Sequence, residues 1–296
     1  MDAVLPLTSA DLDRAEQILV PSLLRHYRDL GRLLVVCPPR DLVAISTRLQ
    51  HPRIRVLDEA TLVPEFAACD RLGLPKVSGW FRQQLVKLAI APHLQSDFVL
   101  TLDADVIALS DFADADCIQH GRAIRHRHSK DSNPQWLDWA ARVLGLPELD
   151  YQPGVTPAIL SRSALLELGD YISRRPHPTS ARFRVGVWLG RLSPRWHVDT
   201  WRGRLIASLP WTEYSLYDTF LAGTGRFSSV HSEPTDTLLL ANSVWEAPDF
   251  ADWRPLPRDQ QGRKILFSVV QSRIVADVAA VLARLSPSRP AARLGG

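Results

Sequence analysis

Four apolar runs, at 4–7, 33–37, 54–57 and 98–102, set the architecture of the first part of the chain. Each is short and closed by polar residues or proline, and the last is apolar on both faces, which is how a strand buried between layers of helices reads. Between the first two runs, Leu12, Ala15, Ile18, Leu19 and Leu23 keep a helical period over 11–27, and a second helical stretch covers 41–49. Strand, helix, strand, helix, strand at this spacing predicts βαβ units, hence an α/β fold with a mainly parallel central sheet flanked by helices. Pro21 predicts a kink or restart in the first helix. A further helix is predicted from Gly79 to about Leu94, with Phe81, Leu85, Leu88 and Ala89 on its buried face and Gln83, Gln84 and Lys87 on another.

The fourth run ends in Asp103-Ala104-Asp105 and is followed by Val106-Ile107. Open α/β sheets bind their ligands at the carboxyl ends of the strands, so these two carboxylates stand where a ligand would sit. Two hard oxygen ligands in that position suit Mg²⁺ or Mn²⁺ already carrying a diphosphate. The pattern itself is not selective, because Asp11/Asp13 and Asp114/Asp116 repeat it. The first of these opens a helix and the last lies in a polar connection, so context singles out the middle pair.

Composition narrows the function classes. A net charge of +3 on 296 residues gives no general pull toward nucleic acid. Cys37, Cys69 and Cys117 are odd in number and far apart, with no CxxC pair, which argues against a zinc site or a disulfide framework and points to a reducing, cytoplasmic setting. No run resembles a signal peptide or a transmembrane helix, and peripheral membrane contact is left open.

Beyond Asp105 the patterns shorten. Residues 119–134 mix strand and loop and carry Arg122, Arg125, Arg127 and Lys130, either a solvated loop or a landing site for an anionic acceptor. Helical patterns are predicted near 136–144, from a Ser163 cap to about 172, and over 182–192, 213–221 and 273–285, with strands near 155–160, 230–231, 238–240 and 265–269. The chain reads as a single domain over 1–286, with a disordered tail over 287–296. Eight of the nine tryptophans fall at Trp136 or later, and such rings serve either a core or a sugar site.

The N-terminal strand, the helix GWFRQQLVKL and the strand ending in LDADV resemble the nucleotide-sugar half of GT-A fold glycosyltransferases, over roughly residues 3–110. PWTEYSLYDTF (210–220) and HSEP (231–234) extend the likeness, which is nearer still to a bacterial family of uncharacterised function grouped with that fold. The resemblance implies a GT-A (Rossmann-like) nucleotide-diphospho-sugar transferase fold, with 1–110 as the nucleotide-sugar half and 111–286 as the acceptor half. It implies metal-dependent transfer of a hexosyl group from a nucleoside diphosphate sugar to a hydroxyl acceptor, saccharide or lipid-linked. Carried over residue by residue, Asp105 holds Mn²⁺ or Mg²⁺, and Asp103 contacts the ribose or the metal. Lys87, or else Arg82, meets the diphosphate, while Thr8 and Asp58 border the base or ribose. Glu213 takes the acceptor's proton if the anomeric centre inverts, with Asp218 as its local rival. Trp211, beside Glu213, offers a face for a sugar. His231 is the candidate third metal ligand, although His-Ser-Glu-Pro departs from the His-x-x-Gly-x-x-Lys form of retaining families.

Two rivals stand beside this reading. A sugar nucleotidyltransferase shares the sheet and the carboxylates but carries a Gly-rich basic loop after its first strand. Here that loop reads Thr8-Ser-Ala-Asp-Leu-Asp. A GT-A-like sugar-nucleotide-binding or scaffold protein without turnover is the non-enzymatic alternative.

Overall fold

The apolar runs pair as their spacing predicts. In the computed structural model, which describes residues 1–74, 78–129, 134–208, 210–234 and 236–285, they form strands β1 (Asp2–Pro6), β2 (Leu33–Cys37), β3 (Ile54–Asp58) and β4 (Phe98–Thr101). β1 lies between β2 and β4, β3 lies outside β2, and all four run parallel. Side chains on both faces of β1, β2 and β4 are buried, because helices cover both: α1 (12–26) and α2 (Leu42–Arg48) fill one layer, α3 (Gly79–Ala89) the other, while the edge strand β3 is only partly covered. The expected α/β architecture with a mainly parallel central sheet is therefore observed. The expected tail at 287–296 lies outside the described residues, as do Lys76 and Lys130.

Two short strands complete the frame around Asp103-Ala104-Asp105. β5 (Val106–Ala108) leaves the main sheet and pairs antiparallel with β8 (Lys264–Val269), which pairs parallel with β7 (Thr237–Leu240). β6 (Ala158–Ser161) closes the main sheet antiparallel to β4. The acidic pair is thus the hinge of chain between two sheets, fixed from both sides by backbone ladders.

The restart expected at Pro21 is present as a change of helix type, since α-helical turns begin at Val20 with the proline in their first turn. A wide π turn over Ala15–Leu19, in which the Val20 N–H reaches back to the Ala15 carbonyl, leads into them. Several other local expectations are corrected. α3 stops at Ala89 and one 3₁₀ turn (Ala91–His93) follows, since Pro92 has no N–H to continue the ladder. Helix α4 (Arg162–Ser173) is capped by Ser161, not Ser163. The final helix begins at Val278 rather than near 273, and the strand expected at 155–160 begins at Ala158. Of the residues left out of these two elements, Arg273, Val155 and Thr156 line the cleft described next.

Candidate active site

The carboxyl ends of β1 and β4 open into a cleft of about 740 Å³, within the range of small-molecule sites. Pro6 closes one edge, and Asp103, Ala104 and Asp105 form the floor. Opposite them stand Trp80, Gln84 and Lys87 of α3, Gln152–Thr156 before β6, and the first turn of helix α6 (Glu213–Gly223).

Lys87 organises the floor. It is 2 % exposed, yet its ammonium lies 2.8 Å from Asp103 Oδ1 and donates to Glu213 Oε1 at 3.1 Å and to Thr156 Oγ1 at 2.9 Å. Two of the ammonium's three protons are thus in hydrogen bonds, and its remaining side faces Asp103 as an ion pair. Burial acts to drive a proton off, but Asp103, Tyr214 and Glu213 outweigh it and hold Lys87 well above the usual lysine range. Glu213 is buried as well. Burial pushes its carboxyl above the usual range, Lys87 opposes this and Asp103 adds to it.

Behind Lys87 runs a chain of hydroxyls whose direction is fixed. The Ala158 carbonyl can only accept, so Thr101 Oγ1 donates to it at 2.9 Å. Thr101 must then accept from the Tyr214 hydroxyl at 2.7 Å, and Tyr214 from Thr156 Oγ1 at 2.7 Å. Thr156 in turn accepts from Lys87. No member can rotate without breaking the next bond, so the ammonium has one orientation.

Glu213 is positioned by its helix. Thr212 is the N-cap, its hydroxyl accepting from Ser215 N–H, and the Glu213 N–H donates to Gln84 Oε1 at 3.1 Å. Glu213 thereby lines the cleft from the first turn of its helix. The amide nitrogen of Gln84, a buried residue, has no partner and neither has the carbonyl oxygen of Gln152, also buried; both residues line the cleft. Buried polar atoms left open at a cleft wall are places for a ligand's hydroxyls.

Asp105 differs from Asp103. Its backbone carbonyl accepts from Val270 N–H at 3.1 Å and its side chain from Ser272 N–H at 3.4 Å. Burial first, then the neighbouring Asp103 charge, lift its carboxyl to about 6, against the attraction of Arg14. Arg14 is itself buried and donates to the carbonyls of Val275 and Val270, pinning the strap that carries Gln271, Ser272 and Arg273 along the cleft. Arg273 is exposed and, among the described residues, has no carboxylate partner.

The other expected site residues lie elsewhere, and all but Thr8 are engaged within the fold. Asp58 caps the short helix after β3, accepting from Ala60 N–H at 2.7 Å. Arg82 pairs with Glu59 at 2.8 Å and Asp70 at 3.0 Å and stacks over Phe66. Thr8 precedes a 3₁₀ turn outside the cleft wall. Trp211 is 1 % exposed and donates Nε1–H to the Leu205 carbonyl at 2.8 Å, so no sugar can stack on it. The rings at the cleft are Trp80, Trp136 and Trp245 instead. Asp218 is fully buried against Arg125, which donates to it through two nitrogens at 2.9 and 2.7 Å, so it is no rival to Glu213. With Arg125 buried and Arg127 held over Phe227 and Tyr151, the basic stretch is not one anion-binding surface.

His231 is corrected most sharply. Its Nδ1 faces the Ala123 carbonyl at 3.1 Å and must donate, leaving Nε2 to accept from the Tyr217 hydroxyl at 2.8 Å. No lone pair is left for a metal, and the residue does not line the cleft. Burial and Arg125 lower its pKa to about 3. A histidine that ionises only when unfolded makes the unfolded state bind more protons below pH 6.5, so stability falls as pH falls from 6.5 toward 3. Well below 6.5 this costs about 1.4 kcal/mol per pH unit. Between pH 6 and pH 4.5, urea unfolding should show a larger loss of stability in the wild type than in His231→Gln; equal losses would contradict it.

A divalent ion fits these residues in one mode only. Among the described residues, no three His, Cys, Asp or Glu side chains are placed to hold a metal together. Asp103 and Asp105 supply carboxylates to one cleft floor, and Asp103 Oδ1 is buried without a hydrogen bond of good geometry. Two carboxylates suffice when a substrate's phosphates supply the remaining ligands.

An α/β chain with a carboxylate-floored cleft at the carboxyl ends of its parallel strands is the class this structure defines. Residues 1–293 match the family described as "Family of unknown function (DUF6492)", and the chain belongs to that family. No curated protein matches the sequence. Among solved structures it is similar to mouse xyloside xylosyltransferase 1 in its apo form, at 12% identity over 93% of this chain and 99% of that one, with a TM-score of 0.46. It is similar to the galactosyltransferase LgtC in complex with donor and acceptor sugar analogs, at 14% identity over 91% and 87% of the two chains and a TM-score of 0.46. The apo bifunctional glycosyltransferase WbbM is similar at 9% identity over 91% of this chain and 45% of that one, with a TM-score of 0.48.

Proposed function

We propose that this chain is a metal-dependent glycosyltransferase of GT-A type, moving a hexosyl group from a nucleoside diphosphate sugar to a hydroxyl acceptor. The observation that carries the reading is the Asp103–Lys87–Glu213 cluster on the floor of a cleft bordered by tryptophans. Asp103 and Asp105 hold Mn²⁺ or Mg²⁺ together with the donor's diphosphate. When bound, that ion offsets the negative charge gathering on the departing nucleotide. Lys87, buried and fixed by Thr156 and Glu213, acts as a positioning residue that sits between Asp103 and Glu213. Arg273, unpaired at the cleft, is the cation that meets the diphosphate. Glu213 takes the acceptor's proton if configuration inverts and contacts the acceptor if it is retained. Trp80, Trp136 and Trp245 offer ring faces to sugars.

In this reading residues 1–286 work as one unit, with 1–110 for the donor and 111–286 for the acceptor. All three cysteines are buried and unpaired, which agrees with a cytoplasmic setting. Among the described residues no helix is long and apolar enough to cross a membrane.

A binding or scaffold role without turnover is the second reading, favoured by the loss of His231 as a ligand. Thermal unfolding with nucleoside diphosphates, with and without Mn²⁺, tests the site. Nucleotide and ion together should raise Tm by several degrees while neither alone does so, since each completes the other's coordination. No shift with any base, or a shift indifferent to Mn²⁺, would sink the site assignment. Mn²⁺-dependent hydrolysis of donor sugars then separates enzyme from binder.

A further inference from the structure

From Tyr171 to Val198 the chain carries Arg174, Arg175, Arg182, Arg184, Arg191 and Arg195 and no aspartate or glutamate. The middle of this stretch is helix α5 (Ala181–Gly190). Phe183 and Gly186 face inward, and Gly186 fixes that orientation: a Cβ there would lie 2.4 Å from a Leu72 methyl and 2.8 Å from one of Val198. The outward side carries Val185 and Trp188, with Leu192 in the next turn, at 51, 59 and 69 % exposure. Their spacing of three and four residues places them in one row. Arg184 and Arg191 are exposed beside that row, and among the described residues Arg184, Arg191 and Arg195 have no carboxylate partner.

We propose that this side of α5 docks on the surface of an anionic phospholipid bilayer. Three large apolar side chains held in water are unfavourable unless something covers them. A row of tryptophan and aliphatic residues flanked by arginines matches the acyl–headgroup boundary, where the apolar groups enter and the guanidiniums meet lipid phosphates. Charge complementarity selects an anionic leaflet, because the stretch is wholly cationic. The ten-residue helix is far too short to span a bilayer, so contact is interfacial. A nucleic acid would engage the arginines but gain little from Val185 and Leu192, and the chain's net charge is only +3. This inference stands apart from the sugar-transfer reading and uses none of its residues.

Flotation of the full chain with vesicles provides the test. The protein should float with phosphatidylcholine vesicles containing about a quarter phosphatidylglycerol, not with pure phosphatidylcholine, and high salt should weaken the binding. Trp188→Ser, and separately the pair Arg184→Glu with Arg191→Glu, should each lower partitioning more than tenfold with an unchanged thermal melt. Failure to float, equal flotation on neutral vesicles, or undiminished binding by either folded variant would overturn the proposal. So would retention by nucleic acid or an acidic protein without vesicle binding. If the transfer reading fails, the flotation result is unaffected.

Discussion

Lys87→Met is expected to cost about 3–5 kcal/mol of folding stability, the range for stripping one partner from a buried ion pair. Most of that cost falls on Glu213, which is 5 % exposed and loses the proton donor to its Oε1. Asp103, whose side chain is 36 % exposed, is screened by water and contributes little. The hydroxyl chain adds to the loss, because Thr156 no longer receives its proton and the order through Tyr214 and Thr101 is released. Urea unfolding with an unchanged m-value reads this directly. Lys87→Met combined with Glu213→Gln should recover most of the loss, since the stranded charge is then gone. Lys87→Arg should recover less: a guanidinium is larger and its planar fork does not match three partners arranged around one nitrogen.

The same variant has a pH signature. Without Lys87 the Glu213 carboxyl rises further above its unfolded value. Over that window the native state binds more protons than the unfolded one, so stability should fall as pH rises and improve on acidification. A Lys87→Met protein within about 1 kcal/mol of wild type at neutral pH, or a double variant no better than the single, would show that the cluster carries no such ion-pair energy.

The parts of the molecule that were legible are those set by local pattern. The four parallel strands are short, largely apolar runs, and a strand that ends in carboxylates announces where a sheet's ligand edge lies. Asp103 was within reach because a strand end placed it, whereas Lys87 and Glu213 were singled out by the resemblance to GT-A enzymes. What the pattern misjudged was decided by distant contacts. Residues 273–277 carry helical spacing, yet Arg14 takes the carbonyls of Val270 and Val275 and holds the segment as a strap instead. Trp211 stands two residues before Glu213, but the Thr212 cap turns the chain between them, sending one side chain inward and the other to the cleft. Trp80 and Trp245 reach the cleft only through tertiary placement, and nothing in their neighbours marks them. His231 looked like a ligand because a histidine's free nitrogen is invisible in sequence; Tyr217 and Ala123 use both of its nitrogens.

Asp105→Asn should separate function from stability. The amide keeps an acceptor for the Ser272 N–H at nearly the same volume, so the strap stays in place. It also removes a charge that burial and Asp103 both disfavour, which is why the wild-type carboxyl sits near 6. The ligand-free variant should therefore melt at the same temperature as wild type or slightly above it, the pattern expected where a site keeps a costly charge for its chemistry. Donor hydrolysis and transfer should drop by about 10²–10³-fold, the scale seen when one electrostatic contact to developing charge is lost. The joint effect of nucleoside diphosphate and Mn²⁺ on Tm should vanish, because an amide is a poor ligand for a hard cation beside a single remaining carboxylate. Asp13→Asn and Asp116→Asn, in the other two Asp-x-Asp pairs, lie outside the cleft and serve as controls that should retain both activities. Full Mn²⁺-dependent turnover by a folded Asp105→Asn protein would remove Asp105 from the proposed metal site. A variant that fails to fold would show instead that Asp105 serves Arg14 rather than a ligand, and Asp103→Asn would then carry the same comparison.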